Sequence, residues 1–151
     1  MTLRIALIAV PLLALSACGN PDTPAGRAAD QRHEDFEAMG AAMKSAGDEL
    51  KAAAPDMAKL KAAAATLNGF APKLPGWFPV GSGPQDGIKT DALAAVWTDA
   101  AGFAVAADKL KGAAAAFDAA AQGGDKAAIG AAMQALGASC KGCHDKFKAE
   151  D

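Results

Sequence analysis

The chain has 151 residues, of which 52% are hydrophobic and 5% aromatic, and its formal net charge is −2 at pH 7. This length is enough for one domain. A mildly acidic chain without a basic stripe is a poor nucleic-acid binder, so we expect no nucleic-acid partner. Because alanine is the strongest helix former and buries little surface, the alanine-rich composition predicts helices around a thin core.

The N-terminus has the pattern of a bacterial export signal over residues 1–17. Arg4 provides a positive start, and the eleven apolar residues 5–15 are too few to cross a bilayer as a mature helix. The sequence LSAC at residues 15–18 resembles the lipobox of bacterial lipoproteins, which predicts that Cys18 becomes the lipidated first residue. The alternative is ordinary cleavage beside Cys18, which would leave a free thiol.

A lipidated cysteine and a flexible tether are predicted over residues 18–29. Gly19–Ala29 has two prolines and few apolar side chains, a composition typical of linkers. More than one acyl chain on Cys18 would anchor the protein stably to a membrane. Gly19 after the cysteine resembles lipoproteins that are sent to the outer membrane. We therefore expect a periplasmic domain over residues 30–151 that a lipid holds at a membrane.

Apolar side chains at three- to four-residue spacing predict four helices in this domain. The helices are expected over residues 30–54, 56–68, 91–121 and 125–148. Pro55 marks the first break, and Thr90 is the predicted N-terminal cap of the third helix. The first and last connections are short, so neighbouring helices should run antiparallel. The pattern predicts an all-α fold, an antiparallel up-down-up-down four-helix bundle.

Residues 69–89 are predicted as a long irregular loop between the second and third helices. The segment contains four prolines, and loops of this length usually have a function or a packing role of their own. Trp77 and Phe78 are expected to anchor the loop onto the bundle.

The sequence CKGCH at residues 140–144 is typical of a covalent haem attachment site. Two cysteines three residues apart lie on one face of a helix, about 5–6 Å apart at Cβ, which suits thioether bonds to the two vinyl groups of one haem. His144 follows Cys140 by four residues, shares that face and can bind the iron. A zinc site normally has four ligands, and the chain has no second Cys or His pair. The motif therefore predicts one covalently attached haem c inside the bundle.

Further segments accompany the attachment motif. They are Arg32-x-x-x-Phe36-x-x-Met39-Gly40, FPVGSG at residues 78–83, Thr90–Trp97, Asp99–Phe103, Gly124-Asp125 and CKGCHDKF at residues 140–147. Together they resemble the class II c-type cytochromes, the family of cytochrome c′ and its six-coordinate relatives. The resemblance covers residues 30 to 150, and a late CxxCH motif distinguishes this family from class I cytochromes c.

The resemblance implies a role for each matching residue. Cys140 and Cys143 hold the haem, and His144 is the proximal iron ligand. Arg32 lies near a haem propionate, where a guanidinium forms charge-assisted bonds; the alternative is a solvated charge on the first helix. Phe36 faces the distal side of the iron, at the position where low-spin relatives have a ligating methionine.

Because phenylalanine cannot ligate iron, the resemblance implies a five-coordinate, high-spin haem with an apolar, crowded distal pocket to which Met39 and Trp97 also belong. Such a pocket has no hydrogen-bond donor for O₂, whereas NO and CO could bind if Phe36 moves aside. The expected function is gas binding, single-electron exchange with redox partner proteins, or both. No distal acid–base pair is visible, so we expect no enzyme activity.

Other outcomes stay open. In the main alternative the protein is a six-coordinate electron carrier with Met39 or Met43 as the sixth ligand, although methionines at helical spacing more often fill a core. A helical lipoprotein without haem, serving as a binding module, is a third hypothesis. Lys148 stands where many cytochromes c′ have an arginine, and it lacks that residue's planar fork, so NO on the proximal face is not implied. Relatives are often homodimers through the first helix, which makes a homodimer the expected assembly to test.

Overall fold

The computed structural model describes residues 19–150 and is built of helices. Within this range the helices are α1 Pro24–Lys51, α2 Met57–Phe70, α3 Ala95–Thr98, α4 Ala100–Gly123 and α5 Lys126–Phe147. Two 3₁₀ helices, Ala71–Trp77 and Pro84–Asp86, lie in the loop between α2 and α3. The predicted all-α class is confirmed.

The four long helices form the antiparallel bundle that the sequence predicts. α1 packs on α2, α2 on α4 and α4 on α5, whereas α1 and α5 contact each other at few points. Because the helices alternate in direction, the start of α1, the end of α2, the start of α4 and the end of α5 all lie at one end. We call it the loop end, because it also holds the loop that leads from α2 to α3.

The core is thin and aliphatic along most of its length. Its fully buried large side chains are Leu60, Leu67, Leu74, Phe117, Ile129 and Leu136. Buried alanines from α1, α2 and α4 lie between them and let the helices approach closely. At the loop end the core becomes aromatic, with Phe103 and Phe147 both buried.

The predicted flexible tether over residues 19–29 is wrong, and so is a domain start at residue 30. Helix α1 begins at Pro24, because the Thr23 hydroxyl accepts a hydrogen bond from the amide of Gly26 at 3.1 Å and proline suits the first helical turn. Gly26 is buried, and a Cβ there would collide with the carbonyl oxygen of Pro21. Two prolines therefore mark a helix start here rather than a linker.

Asn20 fixes the segment in front of α1 to the rest of the bundle. Its side-chain oxygen accepts from the amide of Lys89 at 2.7 Å, and its Nδ2 donates to the carbonyl oxygen of Lys89 at 3.1 Å and to Asp30 at 2.7 Å. The ordered domain thus reaches residue 20. The export signal and Cys18 lie outside the described residues, and their cleavage and lipidation stay predictions.

The predicted third helix over residues 91–121 is interrupted. Asp99 leaves helical geometry at φ −119° and ψ 57°, and its carboxylate accepts from the amide of Gly102 at 3.0 Å to cap α4. Thr90 caps no helix; its hydroxyl accepts from the amide of Ala92 at 3.2 Å and from Arg32. A strong local cap at Asp99 outweighs the apolar periodicity that runs across it.

The C-terminus pairs with the segment that precedes α3. The amide of Leu93 donates to the carbonyl oxygen of Phe147 at 2.9 Å, and the amide of Ala149 donates to the carbonyl oxygen of Asp91 at 2.7 Å. These bonds attach the end of α5 to the loop end of the bundle. No helix between residues 19 and 150 has the length and apolar content needed to cross a bilayer.

Candidate haem site

The predicted attachment residues lie in the last two turns of α5. This helix starts at the cap Asp125, whose carboxylate accepts from the amide of Ala128 at 2.7 Å. Cys140 and Cys143 are free thiols, half-buried against the core, and His144 is exposed. Burial raises the pKa of both thiols, because a low-polarity environment disfavours the thiolate.

His144 lies on the side of α5 that faces α1. Met133 and His144 are eleven residues apart, so they differ by only about 20° around the helix. The Met133 Cε lies 3.8 Å from where a Cβ on Gly47 of α1 would stand. This stripe of α5 therefore faces α1. The packing between α1 and α5 is looser than that between the other neighbouring long helices.

Helix α1 presents the predicted distal residues toward the bundle interior. Phe36 and Met43 are half-buried and pack against the core, and Met39 is buried. Phe36 lies at the loop end, as do Cys140 and His144. The structure thus brings the predicted proximal and distal residues to the same end of the bundle, on helices that face each other.

An aromatic cluster connects α1 to α5 at the loop end. We define it as Phe36, Trp77, Phe78, Trp97, Phe103 and Phe147. The Phe36 ring lies 5.2 Å from Trp77 and 6.3 Å from Phe78 between centroids, and Phe78 lies 4.9 Å from Phe103, which lies 5.3 Å from Phe147. Most of these contacts are edge-to-face, the arrangement that aromatic rings prefer. The cluster gives this end an apolar wall, and Trp77 and Phe78 anchor the loop as predicted.

Trp97 is half-buried at the margin of the aromatic cluster. Its ring lies 5.9 Å from that of Phe78, and its indole N–H donates to the carbonyl oxygen of Pro79 at 3.2 Å. Its place in the haem pocket stays a prediction, but the contacts put it at the predicted end of the bundle.

Arg32 is buried, with 3% of its surface exposed, so the alternative of a solvated charge on the first helix is wrong. Its Nη1 donates to the Trp77 carbonyl at 3.0 Å and the Ser82 hydroxyl at 3.1 Å, and its Nη2 donates to the Ser82 carbonyl at 3.1 Å and the Thr90 hydroxyl at 2.8 Å. The guanidinium also lies 4.6 Å from the centre of the Phe78 ring. All four partners among the described residues are neutral oxygens, and burial lowers the pKa of Arg32.

Ser82 and Thr90 are polar residues of this site to which the sequence assigns no role toward Arg32. Ser82 is completely buried, and its hydroxyl donates to the carbonyl oxygen of Pro79 at 2.9 Å while it accepts from Arg32. A lone serine between two glycines in a proline-rich loop is the signal that could have identified it, because such a residue often bonds its own turn.

A charged pair holds α5 against the start of α4. Lys146 Nζ donates to the carboxylate of Asp99, the residue that caps α4. The hydrogen bond from Lys146 is the main cause that lowers the pKa of Asp99, followed by the bond from the amide of Gly102. Asp99 therefore contacts both helices, since it caps α4 and pairs with Lys146 in the last turn of α5.

These residues fit a haem c. Two thiols three residues apart would supply the two attachment points, an adjacent imidazole would supply an iron ligand, and the aromatic cluster would supply an apolar wall. Arg32 supplies a buried cation without a carboxylate partner among residues 19–150. Within the same range no three His, Cys, Asp or Glu side chains gather where they could hold a bare metal ion.

Comparison with known proteins agrees with this arrangement. The model of the family described as Cytochrome C′ matches residues 27–148. The chain belongs to the cytochrome c′ family. Cytochrome c′ of Rubrivivax gelatinosus is 42% identical over 95 residues, which are 63% of this chain and 73% of that protein. The family resemblance predicted from the motifs, and the covalent haem c that cytochromes c′ carry, are thereby confirmed.

Solved cytochrome c′ structures share the bundle. That of Shewanella frigidimarina aligns with a TM-score of 0.76 at 32% identity and covers 87% of this chain and 100% of its own. A ferrous variant from Alcaligenes xylosoxidans with bound NO aligns with a TM-score of 0.73 at 29% identity, covering 82% and 94%. The individual roles of Arg32, Phe36, Met39, Trp97 and His144 stay predictions for this cytochrome c′ family member.

Proposed function

We propose that this protein is a periplasmic haem protein whose five-coordinate, high-spin iron binds NO or CO and exchanges single electrons with redox partner proteins. When bound, the haem supplies a redox-active iron that can take a gas molecule. Cys140 and Cys143 hold it through two thioether bonds, and His144 provides the proximal nitrogen. The observation that carries the proposal is the packing of Phe36, the residue that we propose for the distal position, against the rings of Trp77 and Phe78.

The surroundings of Phe36 favour gases that need no hydrogen bond. Its nearest ring partners are Trp77 and Phe78. Two donors at this end of the bundle are already engaged, because Arg32 donates to loop oxygens and Trp97 donates to Pro79. A pocket to which these two groups do not donate gives bound O₂ less stabilisation, whereas NO and CO bind with less polar assistance.

The position of α1 argues against a sixth protein ligand. Met39 and Met43 pack into the core from α1, so ligation would require the helix to slide or rotate. Four hydrogen bonds from Arg32 and the clamp of Asn20 on Lys89 hold the start of α1 in place. A shift of one turn would break them together, which favours the five-coordinate state over Met ligation.

Arg32 is proposed to lie next to a haem propionate. Among residues 19–150 the hydrogen-bond partners of this buried guanidinium are all neutral oxygens, and a buried charge without a counter-charge is costly. A propionate carboxylate would supply that charge through a short, charge-assisted bond. The same residue would then hold both the loop and the haem.

The location of the protein is proposed from the sequence and the family. The lipobox at residues 15–18 supports lipidation of Cys18 and anchoring to a membrane, and Gly19 favours the outer membrane. NO binding is supported by the Alcaligenes xylosoxidans relative solved with that ligand. We propose no enzymatic turnover, since no acid–base pair is available on the distal side among the described residues.

Replacing Phe36 with alanine should accelerate CO association with the ferrous protein by about ten- to hundredfold. The substitution removes the ring and the aromatic contacts that resist its displacement, each worth about 0.5–1.5 kcal/mol, and about 1.4 kcal/mol corresponds to a tenfold rate. Stopped-flow mixing with CO measures the rate. Phe117→Leu is the matched control, because Phe117 is a buried aromatic residue with no ring contact to Phe36 or Trp77 among the described residues. An unchanged rate in Phe36→Ala would show that Phe36 does not block the distal site.

A further inference from the structure

We propose that Trp77 is the positioning residue that holds Phe36 in its blocking conformation and thereby sets the rate at which a gas reaches the iron. This inference rests on the distal role proposed for Phe36 and adds the residue that controls it. Trp77 has no assigned function from its sequence beyond anchoring the loop.

The geometry that points to Trp77 is its contact with Phe36. The two ring centroids lie 5.2 Å apart with an interplanar angle of 87°, an edge-to-face pair within the favourable range. On its other side Trp77 contacts Phe70, the last residue of α2, at 5.8 Å and 70°. Trp77 therefore fills the space between α1 and the end of α2, and Phe36 cannot move toward α2 while the indole is in place.

The backbone of Trp77 is itself fixed. It is the last residue of the 3₁₀ helix Ala71–Trp77, which contains Pro72 and Pro75 and so has restricted dihedral angles. Its carbonyl oxygen accepts from Arg32 at 3.0 Å, and Arg32 lies one turn before Phe36 on α1. Arg32 and Phe36 thus lie one turn apart on α1, and both contact Trp77. The rings of Phe36 and Trp77 therefore keep their relative position.

Phe117 provides a matched control for this role. It is a fully buried aromatic residue in the half of α4 that lies away from the loop end. No ring contact of Phe117 with Phe36 or Trp77 is found among the described residues. Replacing Phe117 should therefore disturb the core of the bundle without releasing Phe36.

The test is a set of CO association rates on the ferrous full-length holoprotein for Trp77→Leu, Phe117→Leu, Phe36→Ala and the double variant Phe36→Ala/Trp77→Leu. We expect Trp77→Leu to be about three- to tenfold faster than the wild type, the size expected when one aromatic pair is lost. Phe117→Leu should stay within about twofold of the wild type, since a rate change of that size corresponds to less than one such pair. In the Phe36→Ala background, Trp77→Leu should add no further acceleration.

A second readout reports on the ring itself rather than on gas binding. Crystal structures of the Trp77→Leu and Phe117→Leu holoproteins should show a second Phe36 conformer in the first and a single one in the second. Trp77→Phe keeps an aromatic edge at this position, so it should restore most of the wild-type rate and the single conformer. If Trp77→Leu does not fold, Trp77→Met provides the same comparison with a more adaptable side chain of similar volume, and Trp77→Phe remains the variant that keeps the aromatic edge.

The outcomes separate the two proposals. A wild-type rate in Trp77→Leu, or equal acceleration with and without the Phe36 ring, would overturn the positioning role while leaving the distal role of Phe36 intact. A wild-type rate in Phe36→Ala would overturn the distal role and the positioning role together. A single, unmoved Phe36 conformer in Trp77→Leu would also contradict the inference, whatever the gas kinetics show.

Discussion

Replacing Cys140 and Cys143 together with alanine should yield a protein that has lost essentially all covalently bound haem. Each thiol provides one of the two thioether bonds, so either single variant can keep one bond and the double variant can keep none. The measurement is haem-linked peroxidase staining after denaturing electrophoresis, with the pyridine haemochrome spectrum giving the amount per protein. Because the core is thin and mostly aliphatic, the loss of the haem's apolar surface should also make the double variant unfold at a lower denaturant concentration.

The third cysteine is the control for this experiment. Cys18 belongs to the predicted lipobox rather than to the attachment motif, so Cys18→Ser should keep the full haem content. Haem that survives denaturation in the Cys140→Ala/Cys143→Ala variant would contradict the assignment, because no other cysteine pair exists in the chain.

Replacing Arg32 with leucine should lower the free energy of unfolding by about 2–4 kcal/mol, a large effect for one side chain. The substitution removes four hydrogen bonds from a buried cation and leaves the carbonyl oxygens of Trp77 and Ser82 without their donor. Guanidinium chloride unfolding followed by circular dichroism measures the change. The free energy of unfolding of Arg32→Lys should lie between those of the wild type and Arg32→Leu, because one ammonium group cannot reach all four oxygens as the guanidinium does.

Arg27 is the matched control for Arg32. It lies on the same helix, but its side chain is exposed and pairs only with the exposed Asp22. Surface pairs of this kind contribute about 0–1 kcal/mol, so Arg27→Leu should leave the unfolding midpoint nearly unchanged. Equal effects of the two substitutions would show that the buried bonds of Arg32 do not stabilise the loop.

The parts of the fold that depend on residues close together in the sequence could be predicted from the sequence. The attachment motif lies within a single helical segment, so helix geometry alone places Cys140, Cys143 and His144 on one face. The long helices follow from apolar spacing, which repeats many times and therefore tolerates local exceptions. The bundle follows from those helices and their short connections.

The predicted helix bounds were wrong where a single local interaction outweighs a repeating apolar pattern. Asp99 ends a periodic stretch by capping α4 with one hydrogen bond, and Thr23 starts α1 six residues before the sequence pattern predicts a helix. Both residues are standard caps, but an aspartate or threonine inside an apolar pattern is also common on helix surfaces. The pattern alone does not distinguish these cases.

The distal half of the site could be assigned by resemblance but not built from the sequence. Arg32 bonds residues 45 and 58 positions away in the chain, and no spacing rule connects such distant residues. The contact of Phe36 with Trp77 depends on the path of a proline-rich loop that the sequence identifies only as irregular. Those long-range contacts determine why Phe36 is held in place, and they became visible only in the folded chain.

The optical spectrum of the purified ferrous protein, recorded before and after CO is added, tests the central claim most directly. The claim is that His144 binds one side of the iron while Phe36 leaves the other side without a protein ligand. It predicts a broad visible band typical of five-coordinate, high-spin haem and a sharp Soret band after CO is added. Sharp, resolved α and β bands before CO, unchanged by the gas, would contradict it and would assign a sixth ligand such as Met39 or Met43.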